Sequence, residues 1–187
     1  MGKHIFDYTV ALFASFVFAL PFLIIIVLVR TTSKGPVFYW SKRIGKDGKF
    51  FMMPKFRSMR VDTPEVATDL LQNPDQYLTC VGSFLRTTSL DELPQLISVL
   101  KGEMSVVGPR PALYTQVDLI AARRAVGIDK LLPGITGWAQ INGRDEIELS
   151  KKIELDYEYL QRRNMWLDIR IVRLTVLAVL CSNGVTH

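Results

Sequence analysis

The chain has 187 residues, 49% of them hydrophobic, and 23 Lys and Arg against 18 Asp and Glu for a formal net charge of +5. That length bounds the protein to one modest domain plus whatever lies in a membrane, and the basic balance suits an anionic surface or anionic substrates; with no helix-turn-helix spacing, zinc-finger pattern or aromatic RNA-binding motif, nucleic acid is set aside as the partner. The only histidines are His4 and His187, and the only cysteines, Cys80 and Cys181, form no C-x-x-C, so a Ser-His-Asp triad, a His-zinc site and a disulfide framework are disfavoured, leaving chemistry to carboxylates, Arg and Lys with a hard metal.

Tyr8 to Val29 carries no charge and is bounded by Asp7 and Arg30. About 20 residues at ~1.5 Å each match a hydrocarbon layer of ~30 Å. Pro21 removes a backbone bond and predicts a kink there. A kinked segment either spans the bilayer or enters and leaves by the same leaflet, and both readings stand at this stage. Arg30, Lys34, Lys42, Arg43, Lys46 and Lys49 follow closely, which places the downstream chain on the cytoplasmic side. No small-x-small site follows, which argues against a cleaved signal peptide. The expected division is a membrane anchor over 1–33, kinked at Pro21, and one cytoplasmic, membrane-associated catalytic unit over 34–187.

Gly35-Pro36 ends the apolar run. Val37-Phe38-Tyr39-Trp40 and Phe50-Phe51-Met52-Met53 flank the turn sequence Gly45-Lys46-Asp47-Gly48, predicting a β-hairpin with a longer loop. Lys55, Arg57 and Arg60 space positive charges along the next stretch, as a solvated strand edge or as a patch facing phosphates or headgroups. Residues 61–79, with Pro64, Asn73 and Pro74, read as loop and short helix.

Arg86 to Pro111 sets the adjacent acids Asp91-Glu92 between Arg86 and Arg110. Leu93, Leu96, Ile97 and Leu100 predict one apolar helix face. Ser89 and Glu92 have capping-box spacing, while Pro94 favours a start one or two residues later; either puts both acids in the first turn. Acids there are ordinary capping groups. Two adjacent carboxylates can also divide nucleophilic attack and Mg²⁺ binding between them, and Gly108-Pro109-Arg110-Pro111 holds a guanidinium on stiff backbone, suited to phosphate.

Residues 112–127 predict a helix with Arg123-Arg124 on a polar side. Residues 132–144 are Gly-rich without the context of a nucleotide fingerprint, and their glycines permit close backbone approach to a ligand or another segment. Residues 146–163 predict a charged helix with Ile153, Tyr157 and Leu160 on one face. Residues 165–180 are more apolar but interrupted by Asp168, Arg170 and Arg173, so they fit a core helix or one lying in the membrane interface. The expected fold is α+β and helix-rich: an N-terminal membrane helix, a small β-hairpin and interfacial amphipathic helices.

Several motifs together resemble the bacterial sugar transferases, the monotopic polyprenyl-phosphate phosphoglycosyl transferases. They are Gly35-Pro36-Val37-Phe38, Lys55-Phe56-Arg57-Ser58-Met59, Ser89-Leu90-Asp91-Glu92-Leu93-Pro94-Gln95 after Arg86, the run from Met104 through Gly108-Pro109-Arg110-Pro111, and Pro133-Gly134-Ile135-Thr136-Gly137-Trp138-Ala139-Gln140. The resemblance covers essentially the whole chain and matches the short form, an anchor plus a catalytic domain. It implies transfer of a sugar 1-phosphate from a UDP-sugar to a polyprenyl phosphate at the cytoplasmic face of the inner membrane. It also implies UMP release, Mg²⁺ and a covalent aspartyl intermediate. By position, Asp91 is then the nucleophile and Glu92 its metal-binding partner, with Asp91 also at the metal. Arg86 and Arg110 contact phosphates, Pro109 and Pro111 fix the loop, and Lys55, Arg57, Arg144 and Asp156 are further substrate-binding positions. Family members bend the membrane helix at a Ser-Pro pair into a re-entrant hairpin; here the pair is Leu20-Pro21, with Ser15 six residues before the proline. Two rivals remain beside this reading: a non-catalytic membrane scaffold binding anionic lipids, and a membrane-bound hydrolase of soluble nucleotides.

Overall fold

The computed structural model describes residues 2–64, 73–143 and 147–181. The uncharged N-terminal run folds as two helices, α1 (Gly2–Val17) and α2 (Ala19–Thr32), which meet at a 62° bend. The break falls at Phe18 (φ −93°, ψ 8°), three residues before the expected kink at Pro21. Pro21 is the third residue of α2, where a missing N–H is tolerated. Its ring would meet the carbonyl four residues back, so the turn that fails is the preceding one. Among the described residues no single helix is long and apolar enough to cross a membrane, while this bent pair passes the same test together. The pair turns Leu12, Phe13, Phe16, Leu20, Leu23 and Val27 outward and buries Asp7, Ala11, Ile25 and Val29.

The strands β1 (Phe38–Ile44) and β2 (Phe50–Phe56) form the expected antiparallel hairpin, each longer than its aromatic run. Its 3₁₀ turn, Lys46–Gly48, needs positive φ at Asp47 (57°) and Gly48 (73°), which these residue types tolerate. The chain continues through α3 (Gly82–Thr87), α4 (Gln95–Leu100), β3 (Ser105–Val107), β4 (Ala112–Leu113), α5 (Val117–Ala125), β5 (Gly134–Thr136), α6 (Trp138–Ile141), α7 (Leu149–Arg162) and α8 (Met165–Leu180). β4 joins the hairpin on its β1 edge, and β3 pairs with β5 in parallel. The helix expected over 112–127 is therefore shortened to α5, because Ala112 and Leu113 pair with Ile44 and Arg43. The fold is α+β and helix-rich.

β2 joins two apolar clusters. Phe51 and Met53 pack with Val99, Met104, Val107 and Ile171. Phe56 packs with Ile25, Val29 and Leu85, and its ring lies 4.8 Å from Phe22 and 5.4 Å from Phe38. On α7 the buried residues are Leu155, Asp156 and Tyr159, whereas Tyr157, expected inside, is exposed. α8 packs into the core through Ile171, which is fully buried, while Trp166 is 81% exposed.

Polar bonds fasten both ends of the helix pair to the rest of the chain. Asp7 on α1 accepts 2.9 Å bonds from Ser105 Oγ and a 3.0 Å bond from the Val106 N–H. Lys3 donates to Asp168 Oδ2 at 2.8 Å, and the Tyr159 hydroxyl donates to Asp168 Oδ1 at 2.7 Å. Burial and the nearby Asp168 carboxylate push the Tyr159 phenol far above its ordinary range, so it stays a donor. At the other end Arg57 donates to Ser33 Oγ at 2.8 Å, to the Ser33 carbonyl at 3.1 Å and to the Lys34 carbonyl.

Candidate active site

The acid pair occupies a 3₁₀ turn, Leu90–Glu92, ahead of α4. This corrects the expected helix start. Ser89 sits at φ 56° and its side chain makes no capping bond, so the capping-box spacing is not used; α4 begins at Gln95, directly after Pro94. Leu93 and Pro94 thus separate Glu92 from the first residue of α4, a helix of six residues with no side-chain bond at its cap. The expected apolar face is also displaced. Ile97 and Leu100 are exposed, and the turn and helix bury Asp91, Pro94, Gln95, Ser98 and Val99 instead.

Cations converge on the pair from three directions. Lys55, near the end of β2, places Nζ 2.7 Å from Glu92 Oε1 and 3.8 Å from Asp91 Oδ2. Arg110 places a guanidinium nitrogen 3.5 Å from the same Glu92 oxygen. Arg86, at the end of α3, feels the charges of Asp91, Arg110 and Glu92, and its own pKa is lowered chiefly by burial. Arg43 lines the cleft with Glu92, Gln95, Arg110 and Pro111. Burial alone would raise the Glu92 carboxyl; the positive charges of Lys55, Arg110 and Arg43 outweigh it and bring the pKa down to about 2. The cations around the pair outnumber its two carboxylates, and that surplus attracts an anionic ligand.

The loop that presents Arg110 is held by backbone and by two arginines, the half-buried Arg43 and the buried Arg123. β3 feeds straight into Gly108-Pro109-Arg110-Pro111. The Gly108 N–H donates to the Thr136 carbonyl at 2.9 Å, and the Gly134 N–H to the Pro109 carbonyl at 2.9 Å. A Cβ on Gly134 would lie 2.1 Å from Gly108 N, so the Gly-rich stretch serves close approach to another segment, the loop that presents Arg110. Arg43 donates to the Pro111 carbonyl at 3.0 Å, and Arg123 to the Arg110 carbonyl at 2.8 Å. Arg123 is in turn bonded to Asp156 Oδ2 at 3.0 and 2.6 Å.

The structure therefore brings together Asp91, Glu92, Arg86, Lys55 and Arg110, with Pro109 and Pro111 flanking the last. It does not bring Arg57, which is spent on the end of α2. Asp156 lies beneath the loop, 1% exposed, and reaches it only through Arg123. Arg144 lies outside the described residues. Sequence reasoning missed Arg43 and Arg123. Arg43 stands among the basic residues that follow the apolar segment, and it shares a face of β1 with Ser41, a polar residue whose burial hydropathy does not signal. The sequence places Arg123 on a polar side, yet it is buried; nothing in hydropathy separates it from the exposed Arg124.

The family of bacterial sugar transferases matches residues 1–182 of this chain. The chain belongs to the bacterial sugar transferase family. It is 44% identical over 184 residues to the uncharacterized sugar transferase EpsL of Bacillus subtilis, covering 98% of this chain and 89% of that protein. It is 38% identical over 199 residues to the exopolysaccharide production protein ExoY of Rhizobium meliloti, covering 98% and 88%. It is 46% identical over 160 residues to the UDP-glucose:undecaprenyl-phosphate glucose-1-phosphate transferase of Escherichia coli, covering 81% of this chain and 34% of that one. Membership makes the chain an enzyme, and in this sugar transferase the acid pair is where Lys55, Arg110 and Arg43 gather around two carboxylates.

Among the described residues no group of three or more His, Cys, Asp or Glu is placed to hold a metal ion. Asp91 and Glu92 still fit Mg²⁺, which is commonly held by one or two carboxylates and completes its shell with substrate phosphates and water. The pH response of this sugar transferase follows from Glu92. A carboxyl held at about 2 instead of the ordinary 4.5 contributes stability that is fully present above pH 4.5 and is lost as the pH falls towards 2. Urea unfolding of the wild type should lose on the order of 3 kcal/mol more across that window than Glu92→Gln does. Parallel pH profiles for the two proteins would show that the Lys55 and Arg110 contacts do not stabilise the folded state.

Proposed function

We propose that this chain transfers a sugar 1-phosphate from a UDP-sugar to a polyprenyl phosphate, releasing UMP, through a phospho-sugar acyl phosphate on Asp91. The observation that carries this reading is the placement of two adjacent carboxylates among Lys55, Arg86, Arg110 and Arg43. A carboxylate attacking a phosphoryl group must first approach another anion, and fixed cations screen that repulsion before the reaction begins. Lys55 lies closer to Glu92 than to Asp91, at 2.7 against 3.8 Å, which favours Asp91 as the attacking group and Glu92 as the held one.

In the first step an Asp91 carboxylate oxygen bonds to the phosphorus that carries the sugar. The phosphoanhydride bond breaks and its electron pair leaves on the oxygen of UMP. In the second step a polyprenyl phosphate oxygen attacks that phosphorus, the acyl phosphate bond from Asp91 Oδ to phosphorus breaks, and the carboxylate is restored beside a polyprenyl diphosphate sugar. Arg110 and Arg86 bind the phosphates, Lys55 holds Glu92, and Arg43 and Arg123 keep the Arg110 loop in place. Mg²⁺, held by Asp91 and Glu92, would neutralise phosphate charge.

The acceptor cannot leave the bilayer, so the site must stay at its surface. The outward apolar faces of α1 and α2 support a membrane segment, and the attachment of Asp7 to β3 and of Arg57 to the end of α2 supports a re-entrant one. Both ends of the pair are fastened to the same body, on the cytoplasmic face of the inner membrane. Such a reaction is the first membrane step in assembling a polysaccharide or other glycan.

With UDP-glucose alone, UMP release should stop near one equivalent per enzyme and leave phospho-glucose mass on the peptide bearing Asp91. Continuous release should require polyprenyl phosphate, and a panel of UDP-sugars identifies the sugar. Sustained UMP release without lipid would mean a hydrolase, and lipid binding with no UMP release from any UDP-sugar would mean a scaffold.

A further inference from the structure

The first helix of the N-terminal pair touches both halves of the active site. α1 packs against α4, which follows the acid pair, and against β3, which leads into the Arg110 loop. Ala11 of α1 lies in one apolar cluster with Val99 of α4 and with Val106 and Val107 of β3. Among the described residues β3 has β5 as its only strand partner. The Val106 N–H donates instead to Asp7 Oδ1 at 3.0 Å. The Val107 N–H lies 3.3 Å from Ser105 Oγ, which stands 2.9 Å from both Asp7 oxygens. One carboxylate on α1 thereby gathers two successive backbone donors of the strand, the second through a hydroxyl. Asp7 is 4% exposed and Ser105 is fully buried, so water does not compete for these bonds. Lys3 Nζ stands 3.7 Å from Asp7 Oδ1 and 2.8 Å from Asp168 Oδ2. The Tyr159 hydroxyl stands 2.7 Å from Asp168 Oδ1 and 3.2 Å from the Val107 carbonyl. The transfer steps above use none of these groups.

We infer that Asp7 is a positioning residue for Arg110: α1 sets the arginine loop against the acid pair, so the seating of the N-terminal helix pair and the geometry of the site are one property. The inference rests on the transfer reading above and adds the element that aligns its parts. Glu92 lies just ahead of α4 and Arg110 just past β3, so a helix bonded to β3 and packed on α4 is a common mount for the two. The β3–β5 bonds fasten the loop to the Gly-rich stretch, and α1 joins that sheet directly to α4. Hydrogen bonds to a charged acceptor are shorter and roughly twice as strong as neutral ones, which suits Asp7 to fixing a strand in place. The position matters because Arg110 stands 3.5 Å from Glu92 Oε1. A displacement of about 1 Å at such a site is enough to lower a rate on the order of 10²-fold.

The test is a double-mutant cycle on the full chain in nanodiscs, read as kcat/KM for UMP release with polyprenyl phosphate and the UDP-sugar that the panel above identifies. Asp7→Asn keeps the shape of the side chain and removes its charge, and it should lower kcat/KM by about tenfold or more. In an Arg110→Ala background the same substitution should change kcat/KM by less than about twofold, because the group it positions is gone. A general loosening of the fold would cost the same factor in both backgrounds. Equal losses therefore overturn the inference, as does an Asp7→Asn enzyme as active as the wild type. Ser105→Ala removes the hydroxyl and leaves the Asp7 charge, and its own cycle with Arg110→Ala decides the matter if Asp7→Asn does not fold. Amide exchange gives a readout independent of turnover. The Gly108 and Gly134 N–H groups donate to the Thr136 and Pro109 carbonyls at 2.9 Å. In Asp7→Asn, or in Ser105→Ala in its place, both should exchange about tenfold faster or more, with the Gly45 N–H of the hairpin turn unchanged. That exchange pattern in a protein whose wild type releases no UMP from any UDP-sugar would remove the transfer reading and keep the coupling. Unchanged exchange at both glycines would overturn the coupling whatever the wild type transfers.

Discussion

Asp91→Asn should lower turnover by at least about 10⁴-fold, the scale on which loss of a nucleophile is felt when no neighbour replaces it. Asparagine keeps the shape of the side chain but lacks the anionic oxygen that forms the phosphorus bond. Glu92 is poorly placed to substitute, because Lys55 holds its Oε1 at 2.7 Å and Arg110 lies 3.5 Å from the same atom. Those contacts survive the substitution, so the variant should melt as a folded protein. Intact-mass spectra after incubation with UDP-sugar should show the phospho-sugar adduct on wild type and none on Asp91→Asn. Turnover within a few-fold of wild type would remove Asp91 from the nucleophile's place and leave Glu92 as the group to test.

Local chemistry made some of this molecule legible before any coordinates. The hairpin was readable because a Gly-Lys-Asp-Gly turn requires positive φ between two aromatic runs, and nothing distant competes with that requirement. The bend in the N-terminal segment was readable from Pro21, but its position was not: a proline disrupts the turn before it, so Phe18 breaks and Pro21 stays helical. The helix face after the acids was misread for a different reason. Hydropathy assumes that polar residues point out, and here the inward side carries Asp91, Gln95 and Ser98 because the site itself lies inward. The capping-box spacing at Ser89 was present, but φ 56° turns that residue out of the geometry the motif needs. Family resemblance brought Asp91, Glu92, Arg86 and Arg110 to one place, while Arg43, Arg123 and the Asp7 attachment depend on contacts 33 to 99 residues apart that no local pattern encodes.

Arg123 carries the largest expected effect outside the acid pair. Arg123→Ala leaves the Asp156 carboxylate almost fully buried without its partner, a change that costs about 3–5 kcal/mol when the charge is retained. Burial already raises the Asp156 carboxyl above the ordinary range, against the pull of Arg123. Without that pull it rises further, so the folded variant binds a proton at a pH where the unfolded chain does not. Its stability should therefore increase as the pH falls from 8 to 5, a trend the wild type lacks or shows weakly. Activity should fall on the order of 10²-fold, because the Arg110 carbonyl loses its 2.8 Å donor and the guanidinium is no longer held to its position. The double substitution Arg123→Met with Asp156→Leu separates the two consequences. It removes both buried charges and fills the space with apolar atoms, so most of the stability should return. The bond to the Arg110 carbonyl does not return, so the activity should stay low. Recovery of activity together with stability would show that Arg123 acts only by neutralising Asp156, and that the β3–β5 backbone bonds and Arg43 suffice to keep the loop in shape.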